Sequence, residues 1–182
     1  PLHALDLPAV LYGTERGIEV YRAERLTRLA AFPAAHAVKR LYEFDGTLVA
    51  LVRGRGPWFS GGLGTTWEER SAGLPRAGGA VHELTAFTML PSGVTVASTP
   101  HRLWISTNRG RAWEELPRPR NTTYNTFHGL DIREAGGQLH ILAATAFNGL
   151  QHGVRGADGR VRWNGGSNGL HGWLMEPRAF TY

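Results

Sequence analysis

Two copies of one short motif, 46 residues apart, constrain the fold of this chain more than any other feature of its sequence. The first copy reads SGGLGTTW and ends at Trp67; the second reads STNRGRAW and ends at Trp113. The residues at matching positions are Ser60, Gly64 and Trp67 in one copy and Ser106, Gly110 and Trp113 in the other. A motif that returns after about 40 to 50 residues is typical of chains built from repeated supersecondary units.

Histidines recur with the same period. His36, His82 and His128 are each separated by 46 residues, and each opens a short segment in which apolar and polar residues alternate, as in HELTAF and HGLDI. The segment HALDL, which begins at His3, closely resembles HGLDI. Alternation with a period of two predicts half-buried β-strands.

Apolar segments between these markers predict further strands. They read VLYGT, LVAL, VTVAS and LHILAA, and most follow a glycine-containing turn such as Asp45-Gly46 or Ser92-Gly93. Glycine favours tight hairpins because it adopts positive φ without a Cβ clash. No segment of helical period and adequate length remains. Each repeat is then four short antiparallel strands, which is the pattern of a β-propeller blade.

We therefore expect an all-β fold in which residues 1–182 form a single β-propeller segment of about four blades. The approximate blades are 1–34, 35–80, 81–125 and 126–174, and residues 175–182 begin a further blade.

The repeated motif resembles the Asp-box, Ser-x-Asp-x-Gly-x-x-Trp, of the Asp-box (BNR-repeat) β-propeller family. That family includes sialidase-like and sortilin-like propellers and bacterial photosystem assembly factors. Both copies depart from it at the acidic position, which is Gly62 in one and Asn108 in the other, and only a trace remains around Asp158 and Trp163. The resemblance implies a propeller of six or more blades, so this chain is expected to be part of a longer polypeptide or to be completed by a partner chain.

The resemblance also implies a structural role for the box as a hairpin turn at the blade periphery. In such a turn a Ser or Asx side chain satisfies backbone amides, glycine takes the left-handed position, and tryptophan packs between blades. Asn108 can make an Asx-turn, whereas Gly62 cannot. The paired carboxylates that follow the tryptophans, Glu68-Glu69 and Glu114-Glu115, are interpreted as solvated.

Composition limits the function classes. The net charge of +5 comes from scattered basic residues, with no basic run of the kind that binds nucleic acid. Because the chain has no cysteine, disulfides, cysteine zinc sites and thiol nucleophiles are excluded. No apolar run is long enough to span a bilayer, so membrane insertion by this segment is excluded. We expect an extracytoplasmic protein, whether secreted, periplasmic or at the cell surface.

The recurring histidines are the most interesting candidate for chemistry. If the segments beginning at His3, His36, His82 and His128 are innermost strands, a ring of imidazoles could face the channel and bind zinc. The alternative is that each histidine orients the start of its strand. A sialidase would need an arginine triad, a tyrosine nucleophile and an acid, and no spacing ties such residues together here.

We predict no catalytic residue, metal or cofactor. The primary hypothesis is a non-catalytic propeller that serves as a binding or assembly platform for a protein or glycan partner. The alternative is a fragment of an Asp-box glycoside hydrolase of the sialidase or xyloglucanase type.

Overall fold

In the computed structural model the described residues are 9–33, 36–62, 64–119 and 126–165, and every regular element within them is a β-strand. The chain divides into two units, Pro1–His82 and Glu83–Tyr182. Within each unit, neighbouring strands of a sheet are antiparallel and follow one another in chain order. Each connection inside a sheet is therefore a hairpin, as the glycine-rich turns predict.

The first unit contains two sheets and a small hairpin among its described residues. Sheet 1 consists of β1 (Val10–Thr14), β2 (Gly17–Arg22) and β3 (Arg25–Arg28). Sheet 2 consists of β4 (Val38–Phe44), β5 (Thr47–Val52), β6 (Gly56–Gly61) and β7 (Thr66–Glu69). The hairpin pairs β8 (Arg76–Ala77) with β9 (Ala80–Val81).

The core of this unit lies between its two sheets. It combines Ile18 of β2 with Ala50 and Val52 of β5, together with Phe32, Val38 and Trp58. β1 and β4 approach so closely that a Cβ placed on Gly13 would lie 2.7 Å from Cγ1 of Val38. Glycine is required at this contact because no other residue leaves room for the neighbouring strand.

The second unit repeats the pattern. Sheet 3 consists of β10 (Ala86–Met89), β11 (Thr95–Ser98), β12 (Leu103–Ser106) and β13 (Glu114–Leu116). Sheet 4 consists of β14 (Phe127–Ala135), β15 (Gln138–Thr145), β16 (Gly149–Arg155) and β17 (Val161–Gly165).

One face of sheet 4 packs onto sheet 3. The buried residues of the shared core include Val96, Leu103 and Ile105 from sheet 3, and Leu130, Ile132, Ile141 and Ala143 from sheet 4. The start of β14 is fixed by a hydrogen bond from the Phe127 amide to the Pro100 carbonyl, 3.1 Å away in the β11–β12 turn. Alternate residues of sheet 4 therefore face away from this core.

The all-β prediction is confirmed, as is the repetition of four-stranded antiparallel sheets. One strand starts later than the sequence predicts. β10 begins at Ala86 rather than at His82, because the His82 amide donates to the Pro75 carbonyl at 2.9 Å and so belongs to the preceding loop. The predicted strand that begins at His3 lies outside the described residues.

Candidate functional site

The second copy of the box is a hairpin turn closed by side chains. The buried Ser106 hydroxyl accepts hydrogen bonds from the amides of Gly110 at 2.8 Å and Asn108 at 3.3 Å, and donates to Oδ1 of Asn108 at 2.9 Å. That oxygen also accepts the Ala112 amide at 2.9 Å. Arg109 and Gly110 have φ of 58° and 79°, so the turn passes through the left-handed region. Asn108 thus forms the Asx-type bonds of which an amide side chain is capable.

The first copy makes the same turn with a different set of bonds. The Ser60 hydroxyl accepts the Gly64 amide, as Ser106 does in the other copy. Gly62, with φ of 54°, offers no side-chain acceptor. Thr65 supplies a further hydrogen bond across this turn, because its hydroxyl donates to the Gly61 carbonyl at 2.9 Å. The side-chain hydrogen bonds of the two turns therefore differ at two positions of the motif, the acidic position (Gly62 and Asn108) and the position after the shared glycine (Thr65 and Arg111).

Within each unit, one tryptophan of the later sheet contacts the chain segment that follows the last strand of the earlier sheet. Trp67 lies edge-on to Phe32, with ring centroids 5.0 Å apart, and Phe32 lies between β3 and β4. In the other unit, Nε1 of Trp163 donates to the carbonyl of Pro117, just after β13, at 2.7 Å. Trp113, which is buried, instead contacts Phe87 of its own sheet at 6.2 Å. We propose a structural role for the box residues, since their polar atoms bond to their own turns.

The carboxylates after these tryptophans are on the surface but are not simply solvated. Nearest N···O distances are 2.8 Å for Arg70–Glu68, 3.4 Å for Arg55–Glu69, 2.9 Å for Arg155–Glu114 and 2.5 Å for Arg102–Glu115. Arg55 and Arg102 lie in hairpin turns, Arg155 lies on β16 and Arg70 directly follows β7, so the glutamate pairs alone did not predict these partners. Surface pairs of this kind contribute little to stability.

The three described histidines of the recurring set occupy different positions. His36 is half-buried two residues before β4, with its ring 5.8 Å from Trp58. His82 is exposed and precedes β10, whereas His128 lies inside β14 at a β-bulge. His3 lies outside the described residues. In the part of the chain that is described, no three His, Asp or Glu side chains are grouped to hold a metal ion.

Two other histidines meet on the face of sheet 4 that points away from the core. Nδ1 of His140 lies 3.1 Å from Nε2 of His152. Together with Asp131, Arg133, Leu142 and Leu150, they line a cavity of about 510 Å³. Sequence reasoning missed this pair, because LHIL and LQHGV each contain a single histidine and nothing in either segment indicates that the two meet. Their proximity depends on the register between β15 and β16.

The outward face of sheet 1 exposes a row of large apolar side chains. Val10 pairs with Tyr21, and Tyr21 pairs with Leu26, so the three lie side by side across the sheet. Tyr12 lies two residues from Val10 on the same face. These side chains are between 42% and 56% exposed. Exposed apolar groups gathered in one place indicate an interaction surface more strongly than the same groups scattered singly.

Two buried indole groups recur at matching positions in β6 and β12. Nε1 of Trp58 and Nε1 of Trp104 are inaccessible and have no hydrogen-bond partner among the described residues. Both lie two residues before a box serine. A buried donor without a partner carries a desolvation cost, so these N–H groups offset part of the stability that the rings supply by packing.

The described residues include no helix long and apolar enough to cross a bilayer. No family model matches the sequence, and no curated protein matches it.

Solved structures do resemble the chain. The extracellular domain of BT4673 from B. thetaiotaomicron, a proposed one component system, matches 87% of this chain with a TM-score of 0.57 and 16% identity. The chain spans 21% of that structure's length. Weaker likenesses, with TM-scores of 0.49, are to the Pan2 WD40 domain of Neurospora crassa (13% identity, 86% of this chain and 46% of the other) and to YCF48 bound to D1 peptide (8%, 85% and 50%). The fold is all-β and of the β-propeller type.

Proposed function

We propose that this chain is a non-catalytic β-propeller segment that serves as a binding or assembly platform for a protein or glycan partner. The observation that carries the proposal is the apolar row on sheet 1, formed by Val10, Tyr12, Tyr21 and Leu26. Tyrosine is enriched at protein interfaces because its ring buries a large apolar area while its hydroxyl forms hydrogen bonds. The same ring can lie against the apolar face of a sugar.

The row is suited to recognition because its backbone is already ordered. It lies on three paired strands, whose other face carries Ile18 into the core of the unit. Side chains presented on a rigid sheet lose little conformational entropy when a partner binds. Charged residues border the row, since Glu19 is opposite Tyr12 and Arg28 is opposite Glu19. An apolar centre with a polar rim is the usual composition of an interface.

We further propose an extracytoplasmic location and membership of the Asp-box group. The location is supported by the likeness to BT4673, whose matching part is an extracellular domain. The group is supported by the two serine–glycine–tryptophan turns and their hydrogen bonds. The blades defined from the sequence are proposed as parts of one propeller segment.

A paired binding experiment tests the platform. Wild-type protein and a Tyr12→Ser, Tyr21→Ser, Leu26→Ser triple variant are applied to a glycan array and to a displayed peptide library. We expect binding to one ligand class that the triple variant loses, with an unchanged far-UV circular dichroism spectrum, because the three side chains are already exposed. Val49→Ser, in the buried interior of sheet 2, is the control for general unfolding.

Either of two results would overturn the proposal. The first is ligand binding that the triple variant retains in full. The second is turnover of a fluorogenic glycoside above blank by the wild-type protein, which would establish the glycoside hydrolase alternative instead.

A further inference from the structure

The pair His140 and His152 lies on two adjacent strands that hold it in one arrangement. β15 and β16 pair along their whole length, with His140 opposite Val154 and His152 opposite Leu142. The two histidines are therefore diagonal neighbours on one face of sheet 4. Their ring planes differ by 12°, and both side chains are half-buried. The paired strands therefore fix the positions from which the two side chains extend.

The separation of the facing nitrogens is that of two imidazoles sharing a metal ion. Nδ1 of His140 and Nε2 of His152 are 3.1 Å apart. Two histidine nitrogens that each bind Zn²⁺ at about 2.0–2.1 Å are about 2.9 Å apart at a right angle and about 3.3 Å apart at the tetrahedral angle. The observed value falls between these limits. Without a metal, the same distance is a hydrogen bond in which one ring donates its N–H to the other ring.

We propose that His140 and His152 form a two-imidazole chelate for a borderline divalent metal ion of the class of Zn²⁺, Ni²⁺ or Cu²⁺. The ion lies to one side of the line between the two nitrogens, because 3.1 Å is too short for two such bonds end to end. The ring that donates the hydrogen bond changes tautomer, so that both neutral rings carry their proton on the outer nitrogen. Imidazole prefers these ions to Ca²⁺ and Mg²⁺, which select oxygen ligands. The proposal is independent of the platform function of sheet 1.

The surroundings favour an exchangeable ion over a structural one. The adjoining cavity of about 510 Å³ has room for water to complete the coordination shell. The carboxylate of Asp131 lines this cavity and lowers the electrostatic cost of a cation, while Arg133, directly opposite His140, raises it. With two protein ligands in place of the four of a structural site, the fold does not depend on the metal.

Copper(II) and nickel(II) binding to the full chain, without a histidine tag, tests the proposal. We expect one ion per chain by isothermal titration calorimetry. His140→Asn and His152→Asn should each lower the affinity by at least about 10–100-fold, the loss typical of outer-shell partners. His82→Asn is the matched control, because His82 is exposed and lies in the other unit. Its affinity should equal that of the wild type.

Electron paramagnetic resonance of the wild-type copper complex gives a second readout that does not depend on any variant folding. We expect hyperfine coupling from two equivalent imidazole nitrogens, reduced to one in either single variant. Absence of stoichiometric binding would overturn the proposal. So would coupling from fewer than two imidazole nitrogens in the wild type, or full affinity in both His140→Asn and His152→Asn.

Discussion

Removal of the Ser106 hydroxyl should destabilise the second unit more than removal of the Asn108 side chain from the same turn. The hydroxyl accepts two backbone amides, and one of them, Gly110, is buried. In Ser106→Ala the Gly110 amide has no replacement partner, which costs about 1–3 kcal/mol. The other lost bonds add about 0.5–1.5 kcal/mol, because the groups that they release can reach water. We expect a total loss of about 2–4 kcal/mol in the free energy of unfolding.

Asn108→Ala separates this reasoning from a general sensitivity of the turn. Its side chain accepts the Ala112 amide, which is exposed and can bond to water instead, and the Ser106 hydroxyl, which can rotate toward another acceptor. The loss should therefore be smaller, at about 0.5–1.5 kcal/mol. Ser92→Ala is the control, because its hydroxyl bonds only to an exposed carboxylate, and its effect should stay within about 0.5 kcal/mol.

Urea unfolding followed by circular dichroism measures all three variants. With a slope of about 2 kcal/mol per molar urea, the Ser106→Ala transition should move down by about 1–2 M. The expected order of destabilisation is Ser106→Ala, then Asn108→Ala, then Ser92→Ala. A loss for Asn108→Ala equal to or larger than that for Ser106→Ala would refute the reasoning, since burial of the Gly110 amide would then not decide the outcome.

Three further predictions concern sheets 3 and 4. Trp163→Phe should cost about 1 kcal/mol in the free energy of unfolding, because it removes the hydrogen bond to Pro117, and chemical denaturation measures the loss. Gly153→Ala should cost about 1–3 kcal/mol by overpacking, because the new Cβ would lie 2.8 Å from the Trp163 ring, and an unchanged melting temperature would contradict this. Loss of the Arg155–Glu114 ion pair in Arg155→Ala should lower the free energy of unfolding by less than about 1 kcal/mol, because Glu114 is exposed. The difference from the wild type should be smaller in 1 M salt, which screens the pair.

Local sequence patterns predicted the strands well because each depends on a few neighbouring residues. The apolar segments VLYGT, LVAL, VTVAS and LHILAA fall in β1, β5, β11 and β15, and the turns before the last three contain Gly46, Gly93, Gly136 and Gly137, all with positive φ. The 46-residue spacing predicted their assembly into similar sheets because hairpins in chain order need no long-range information. The start of β10 was predicted too early because the His82 amide donates a hydrogen bond to the Pro75 carbonyl. The alternation of apolar and polar residues after His82 does not reveal this bond.

The candidate metal pair lay beyond the reach of the sequence for a related reason. His140 and His152 are twelve residues apart, and a shift of the β15–β16 register by one residue would put them on opposite faces. The register is set by the whole hairpin, including the Thr145 hydroxyl that donates to the Gly149 carbonyl at 2.8 Å. The regular period of His36, His82 and His128 suggested a shared site instead, although only His128 of these three lies in a strand.

In the contacts of Trp67 with Phe32 and of Trp163 with Pro117, the tryptophan is the later residue in the chain. A ribosome delivers Phe32 35 residues before Trp67, and Pro117 46 residues before Trp163. Domains generally acquire structure from the N-terminus onward during synthesis. Phe32, which is buried in the folded unit, is thus made before the indole that packs against it, whereas Pro117 stays exposed and gains only a hydrogen bond from Trp163. The core of the first unit can therefore be completed only after Trp67 has been synthesised.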